Sequence, residues 1–188
     1  MGPRSLARVL TDVLNPFVIF TALFFAVALA QSAVPSALLY AGVELLAAVA
    51  VAGFVVYMRR RARVEDFWIS ARAERLTPAV FLLSAFVALL VALFLLGAPT
   101  DLFLLTLSMG LASATVALLT LFFKASAHCT VAGHAATAGV LVLGPLGWIF
   151  ALGLPLVIWS RVTLGAHTIP ETLAGALVGA GFALLLLL

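Results

Sequence analysis

Apolar runs that approach or reach the length of a membrane crossing follow one another along most of this chain. A helix rises about 1.5 Å per residue and the hydrocarbon layer is about 30 Å thick, so about 20 apolar residues make one crossing. The runs occupy residues 16–34, 37–57, 78–96, 102–123, 127–143, 148–159 and 170–188. With 65% hydrophobic and 9% charged residues, the chain is too apolar for a soluble domain. The pattern predicts an all-α, polytopic transmembrane helical bundle.

The number of crossings depends on the shortest runs. Residues 127–143 and 148–159 are short for full crossings and are separated by Gly144-Pro145-Leu146-Gly147. These two runs could form a tilted hairpin that stops short of the far side. We therefore expect six to seven apolar helical segments in a single domain over residues 1–188.

Two polar stretches are expected at the membrane surface. Residues 4–14 place apolar side chains on one helical face and Arg4, Arg8 and Asp12 on the other, which predicts an interfacial helix within residues 1–15. Residues 59–77 mix charged side chains with Phe67 and Trp68. Aromatic and cationic side chains suit the headgroup layer, so this stretch is predicted to be a polar interfacial loop.

The positive charges are distributed asymmetrically. Alternate threading of the seven runs brings the N-terminus, residues 59–77, residues 124–128 and residues 160–170 to one face. That face then carries all ten basic residues, Arg4, Arg8, Arg59, Arg60, Arg61, Arg63, Arg72, Arg75, Lys124 and Arg161. Because cytoplasmic loops of membrane proteins are enriched in Lys and Arg, we expect a multi-pass protein of the cell membrane with this face in the cytoplasm.

One acidic residue lies well inside the second run. An ionised carboxylate at the position of Glu44 is costly in a bilayer unless it is paired or hydrated. Glu44 is therefore interpreted either as a proton or ion site, as in a carrier, or as a protonated or hydrogen-bonded packing residue that faces the bundle. The second interpretation is favoured because the first three runs contain no second acid or buried base.

Small residues mark two of the predicted helices. Gly175 and Gly179 form a G-x-x-x-G pattern in the last run, and Gly133 and Gly139 lie in the fifth. Such faces allow helices to approach closely. We expect these two helices to pack together near the basic face, and homo-oligomer formation through the same pattern stays open.

Residues capable of phosphate chemistry reach the basic face from separate stretches of chain. Fixed cations and a hydroxyl suit the oxygens of a phosphate group. One of two histidines can attack phosphorus while the other donates a proton. A carboxylate four residues after a histidine can orient its ring. The residues concerned are Lys124, Ser126, His128, Arg161, His167 and Glu171.

The spacing of these residues resembles the type 2 phosphatidic acid phosphatase family of membrane lipid phosphatases. The family's third motif, S-R-x5-H-x3-D, is reproduced by Ser160-Arg161, His167 and Glu171, with Glu in place of Asp. Its second motif, P-S-G-H, is matched loosely by residues 125–128, Ala-Ser-Ala-His. The first motif, K-x6-R-P, is absent. The resemblance covers about the last third of the chain.

The resemblance implies a role for each residue. His167 would attack phosphorus to form a phosphohistidine, Glu171 would position His167, and His128 would protonate the leaving oxygen and later activate water. The phosphate oxygens would be held by Ser126, Ser160 and Arg161. The family pattern does not supply replacements for its absent first motif, so we infer them separately: Lys124 for the missing lysine and Arg72 or Arg75 for the missing arginine. No metal or other cofactor is expected, because fixed cations would occupy that role.

Other interpretations of single residues are structural. Thr168, Pro170 and Glu171 fit the start of a helix closed by a capping box. Lys124 and Arg161 could be ordinary stop-transfer cations, and His134 is best explained as a packing residue. A zinc site from His128, Cys129, His134 and His167 matches no usual ligand spacing.

The expected function is hydrolysis of a lipid phosphate or diphosphate monoester whose tail stays in the bilayer. Phosphatidic acid, a phosphatidylglycerol-phosphate type of lipid and a polyprenyl phosphate or diphosphate are all compatible with the sequence. The expected partners are the lipid substrate and the bilayer, with no nucleic acid. The alternative is a non-catalytic or transport protein that keeps the bundle and uses Glu44 with the basic face to move a lipid or an ion.

Overall fold

The structure is an assembly of α-helices. The computed structural model describes residues 2–64, 74 and 76–188, and no strand occurs in these ranges. The helices are α1 (Pro3–Val13), α2 (Pro16–Gln31), α3 (Val34–Arg60), α4 (Leu76–Leu95), α5 (Thr100–Leu119), α6 (Ala127–Leu143), α7 (Trp148–Thr163) and α8 (Ile169–Leu187), with a 3₁₀ turn at Gly144–Gly147. The predicted all-α helical bundle is confirmed, and helices α2 to α8 correspond to the seven apolar runs.

Local sequence explains where several helices begin. Asn15 caps α2, since its side-chain oxygen accepts a hydrogen bond from the backbone N–H of Val18 at 3.1 Å. Ser126 caps α6 in the same way through Cys129 N at 3.4 Å. Helices α1, α2, α3 and α8 carry a proline in the first turn. Proline is favoured there because that position needs no backbone donor.

Length and apolar character identify the helices that could cross a membrane. Within the described residues, five segments meet these criteria, and six do so if α1 and α2, bent by 47° at their junction, form one broken span. One of the five, Ala127–Thr163, contains both α6 and α7. Large apolar side chains such as Leu46, Phe94 and Leu185 are at least 70% exposed. These features indicate a multi-pass membrane protein.

The helices extend into both ends of the loop predicted at residues 59–77. Arg59 and Arg60 form the last turn of α3, where cations interact favourably with the helix dipole. Leu76 and Thr77 belong to α4. The predictions for residues 65–73 and for residue 75, including Arg72 and Arg75, lie outside the described residues.

The predicted short hairpin is formed by α6, the Gly144–Gly147 turn and α7. A Cβ atom on Gly147 would overlap the backbone of Gly139, so the turn packs directly against the backbone of α6 where the chain reverses. At 17 and 16 residues, the helices are about 25 and 24 Å long. Each therefore approaches the thickness of the hydrocarbon layer.

Helix α6 is the centre of the bundle. It packs against α2, α5, α7 and α8, and its closest neighbour is α8. A Cβ on Gly133 would overlap the backbone of Ala176, and Cβ atoms on Gly175 and Gly179 would overlap the backbone of Ser126 and Thr130. The predicted close approach of the fifth and last apolar segments is confirmed. It fixes the start of α6 against the start of α8.

Candidate active site

Two hydrogen bonds, one between backbone groups and one from a lysine side chain, join the chain segments that were predicted to form the site. Ser126 N, just before α6, donates a hydrogen bond to Glu171 O in the first turn of α8 at 3.1 Å. Lys124 Nζ donates to Ala166 O, in the turn between α7 and α8, at 3.0 Å. The segments around the predicted second and third motifs therefore lie side by side.

The turn between α7 and α8 holds His167 beside the end of α7. The backbone N–H groups of Ala166 and His167 both donate to Arg161 O, at 3.1 and 3.3 Å. Gly165 has a φ of 69°, a left-handed conformation in which a side chain would be strained. This glycine allows the chain to reverse tightly, so that His167 returns toward Arg161.

Glu171 combines the catalytic and structural interpretations of the sequence. Its Oε2 atom lies 3.3 Å from His167 Nδ1 and accepts a hydrogen bond from Thr168 N at 3.0 Å. The capping box expected at Thr168 and Glu171 is present. When Nδ1 carries the proton toward this carboxylate, the lone pair of the imidazole is on Nε2. One carboxylate can therefore cap α8 and orient His167.

The charge environment of His167 favours a neutral ring. Burial lowers the pKa of His167 below its ordinary value of 6.5, and the positive charges of Arg161 and Lys124 lower it further. Glu171 opposes this shift but does not reverse it. At neutral pH the imidazole is mainly uncharged, which is the form that has a nucleophilic nitrogen.

His128 and Arg161 complete the buried part of the site. His128 lies in the first turn of α6 and is 5% exposed, and Arg161 lies in the last turn of α7 and is 8% exposed. Both line the same cavity as His167. The cavity thus joins a fixed cation and two imidazoles from three separate segments of chain.

The two serines of the predicted site have structural contacts. Ser126 is fully buried, and its Oγ accepts the capping hydrogen bond from Cys129 N. Ser160 is also fully buried, and its Oγ donates to Val157 O at 2.9 Å and accepts from Thr11 Oγ1 at 3.2 Å. Neither serine is among the residues that line the cavity. Their assignment as phosphate ligands stays a prediction.

The cavity extends from the polar residues into the apolar interior. It has a volume of about 300 Å³ and passes between α2, α3, α4, α5 and α6. His128, Arg161 and His167 belong to its wall at one end of the bundle, and Phe20, Leu89 and Met109 line its apolar part. Glu44 also lines this cavity. The sequence pointed to Glu44 as an internal acid but gave no sign that it shares a cavity with the histidines.

His134 lies outside this arrangement. Its Nε2 is 2.7 Å from Ser108 Oγ, and Ser108 Oγ donates to Leu105 O, so the ring donates to the serine. Both side chains are fully buried. Among the residues that the structure describes, no group of three or more His, Cys, Asp or Glu side chains could hold a metal ion. The contacts of His134 fit the packing role expected for it.

Comparison of the chain with protein-family models, curated proteins and solved structures gave no match in any of the three.

Proposed function

We propose that this protein is a membrane-embedded phosphatase that hydrolyses a lipid phosphate monoester through a phosphohistidine intermediate. One observation carries the proposal, the shared cavity that has Arg161, His128 and His167 at its polar end and apolar side chains from α2 to α5 along its length. A phosphate with a hydrocarbon tail matches both parts, since the cation binds oxyanions and the apolar walls accept the tail.

The proposed reaction begins with attack by His167. Its Nε2 lone pair forms a bond to phosphorus while the bond between phosphorus and the lipid oxygen breaks. His128 donates a proton to that oxygen, which leaves as the lipid alcohol. The negative charge of the bound phosphate favours the protonated form of His128 before this transfer.

Water completes the cycle. His128, now neutral, accepts a proton from a water molecule whose oxygen attacks phosphorus. The bond between nitrogen and phosphorus breaks, inorganic phosphate leaves, and both histidines return to their starting states. Arg161 and Lys124 stabilise the charge on the phosphate oxygens, which is the main requirement of phosphoryl transfer.

The experiment is phosphate release by purified protein in detergent with a metal chelator present. Wild-type protein should release phosphate from lipid phosphates and become labelled when the substrate phosphate is radioactive. His167→Asn should show neither release nor label. His128→Asn should become labelled more slowly than wild-type protein and should release phosphate slowly, because protonation of the leaving oxygen and activation of water are both impaired.

A matched control is His134→Gln, which keeps a donor for Ser108 and leaves the cavity wall unchanged. It should retain activity if it folds, which gel filtration will show. Phosphate release that survives His167→Asn, or no release from any lipid phosphate by folded wild-type protein, would contradict the proposal.

A transport function is the second candidate because Glu44 shares the cavity with the basic residues. A carrier would move a lipid phosphate or an ion across vesicles without cleaving it, and Glu44→Gln would reduce this movement. Transport without phosphate release would favour this candidate.

A further inference from the structure

Glu44 is a buried carboxyl group with one oxygen left without a hydrogen bond in the described part of the protein. The residue is 3% exposed and lies on α3 within the apolar bundle. Its Oε1 accepts a hydrogen bond from Thr21 Oγ1 at 3.0 Å, whereas Oε2 has no hydrogen-bond partner among the described residues. Buried polar groups are normally hydrogen-bonded, so this oxygen indicates an absent partner.

The chemistry of this carboxyl group indicates what kind of partner it needs. Its hydrogen bond within the described residues comes from a neutral hydroxyl, and an ionised carboxylate at this depth would be costly. The neutral acid accepts from Thr21 at Oε1 and can donate through Oε2–H. The missing partner is therefore a hydrogen-bond acceptor within the cavity.

The depth of Glu44 places it just below the phosphate end. Pro16 begins α2 and lines the cavity, and Thr21 follows five residues later, about 7.5 Å along the helix. Thr21 holds Glu44 at this level. Helix α1 ends just before α2 begins, and Thr11 of α1 donates a hydrogen bond to Ser160, the residue that precedes Arg161. Glu44 therefore lies about two helical turns or less inside the polar end.

Glycerol-based lipid phosphates carry an acceptor in this region, since their ester carbonyls are a few bonds from phosphorus. Polyprenyl phosphates have only hydrocarbon there. We infer that Glu44 is a specificity-determining residue that donates a hydrogen bond to an ester carbonyl of an acylated glycerol phosphate. The inference rests on the proposed function for the identity of the headgroup site.

The test compares two matched substrates, a diacylglycerol phosphate and its dialkyl ether analogue with the same chain lengths. Wild-type protein should show a kcat/KM about five- to tenfold higher for the ester, the value of one hydrogen bond in a buried site. Glu44→Met should lose this preference, so that the ratio of its kcat/KM values for ester and ether falls to about one. Glu44→Gln retains an N–H donor and should keep most of the preference.

Each result decides the inference. Equal rates of wild-type protein on ester and ether, or an unchanged preference in folded Glu44→Met, would overturn it. A polyprenyl phosphate with the same critical micelle concentration serves as a third substrate. It lacks the ester carbonyl, so the ratio of its kcat/KM to that of the ether should be the same in wild-type protein and in Glu44→Met. Thermal unfolding of both variants in detergent separates a change in selectivity from a loss of folded protein.

A binding measurement separates this inference from the proposed function. If no substrate is hydrolysed, competition of the ester and ether lipids against a fluorescent lipid phosphate can be measured on wild-type and Glu44→Met protein. A preference for the ester that is lost in Glu44→Met would support the role of Glu44 and contradict the phosphatase. Equal binding of both lipids to wild-type protein would overturn the role of Glu44.

Discussion

At the scale of single residues, the carboxylate of Glu171 has two partners that require it for different reasons. His167 needs an acceptor at Nδ1, and Thr168 N needs one at the start of α8. The sequence offered these roles as alternatives, and the structure places both on the same oxygen. The reason is geometric, because the turn before α8 places the backbone of Thr168 and the ring of His167 on the same side of the carboxylate.

Glu171→Gln separates the two roles. The amide oxygen can still accept from Thr168 N, so the free energy of unfolding should fall by about 1 kcal/mol or less. The loss of charge weakens the orientation of His167, so activity should fall about 10- to 100-fold. Chemical denaturation and phosphate release measure the two effects. If activity falls only in proportion to the loss of folded protein, Glu171 is only a cap. Glu171→Asp is the control that keeps the charge.

The lowered pKa of His167 predicts the acid side of the pH profile. Protonation of the ring removes the nucleophilic lone pair, so activity should fall as the pH drops through this lowered pKa, at a pH below 6.5. Lys124 contributes to the lowering. Lys124→Met should therefore shift the acid limb to higher pH, which a series of kcat/KM measurements will show. An unshifted or oppositely shifted limb would contradict the assigned electrostatic contact.

At the scale of elements, the contact between α6 and α8 positions the two halves of the site. Gly133, Gly175 and Gly179 leave no room for a Cβ atom between the helix backbones. The small residues predicted close packing of the fifth and last apolar segments, and the structure shows which backbone atoms meet. The register of this contact depends on the three-dimensional arrangement, because a small-residue face allows close approach without specifying which residues of the partner helix lie against it.

Gly179→Ala should disrupt this contact. The added methyl group would overlap Thr130 O, so the helices must separate, at a cost of about 1–3 kcal/mol in the free energy of unfolding. Phosphate release should fall as well, since α6 carries His128. Thermal unfolding in detergent and activity assays measure both.

Gly181→Ala is the matched control on the same helix. No atom lies within 4 Å of a Cβ built there, and alanine favours helix more than glycine does. Its stability should be unchanged or higher by up to about 1 kcal/mol. Equal destabilisation by both variants would mean that α6 and α8 are not packed through Gly179.

At the scale of the whole molecule, the polar residues of the candidate site and the apolar side chains of the bundle line one continuous cavity. A lipid phosphate could place its headgroup beside Arg161 while its tail stays among α2 to α5. Gln31 and Asp101, hydrogen-bonded at 2.7 Å, join α2 to α5 at the opposite end from Ser126 and His167. The site therefore occupies one end of the bundle, and the distribution of basic residues predicts that this end is cytoplasmic.

Cysteine labelling of intact cells tests this orientation. Arg63 and Thr100 are exposed positions near opposite ends of the bundle, and the native Cys129 is buried. A membrane-impermeant maleimide should label Thr100→Cys from outside the cell. Arg63→Cys should be labelled only after the membrane is permeabilised. The reverse pattern would place the site on the outer face.

The sequence by itself determined the helical bundle and most helix boundaries, and its motif spacing predicted that Arg161, His167 and Glu171 lie together, as they do. These predictions rest on local properties, namely the length of apolar runs, the positions of proline and glycine and the spacing of motifs. Local properties can be recognised in the sequence without knowledge of the fold. Only the tertiary structure decided that Ser160 bonds to Thr11, that Glu44 shares a cavity with His128, and that α6 lies at the centre. These relations join residues far apart in the chain, and they depend on which helix faces pack together, which apolar sequence alone does not specify.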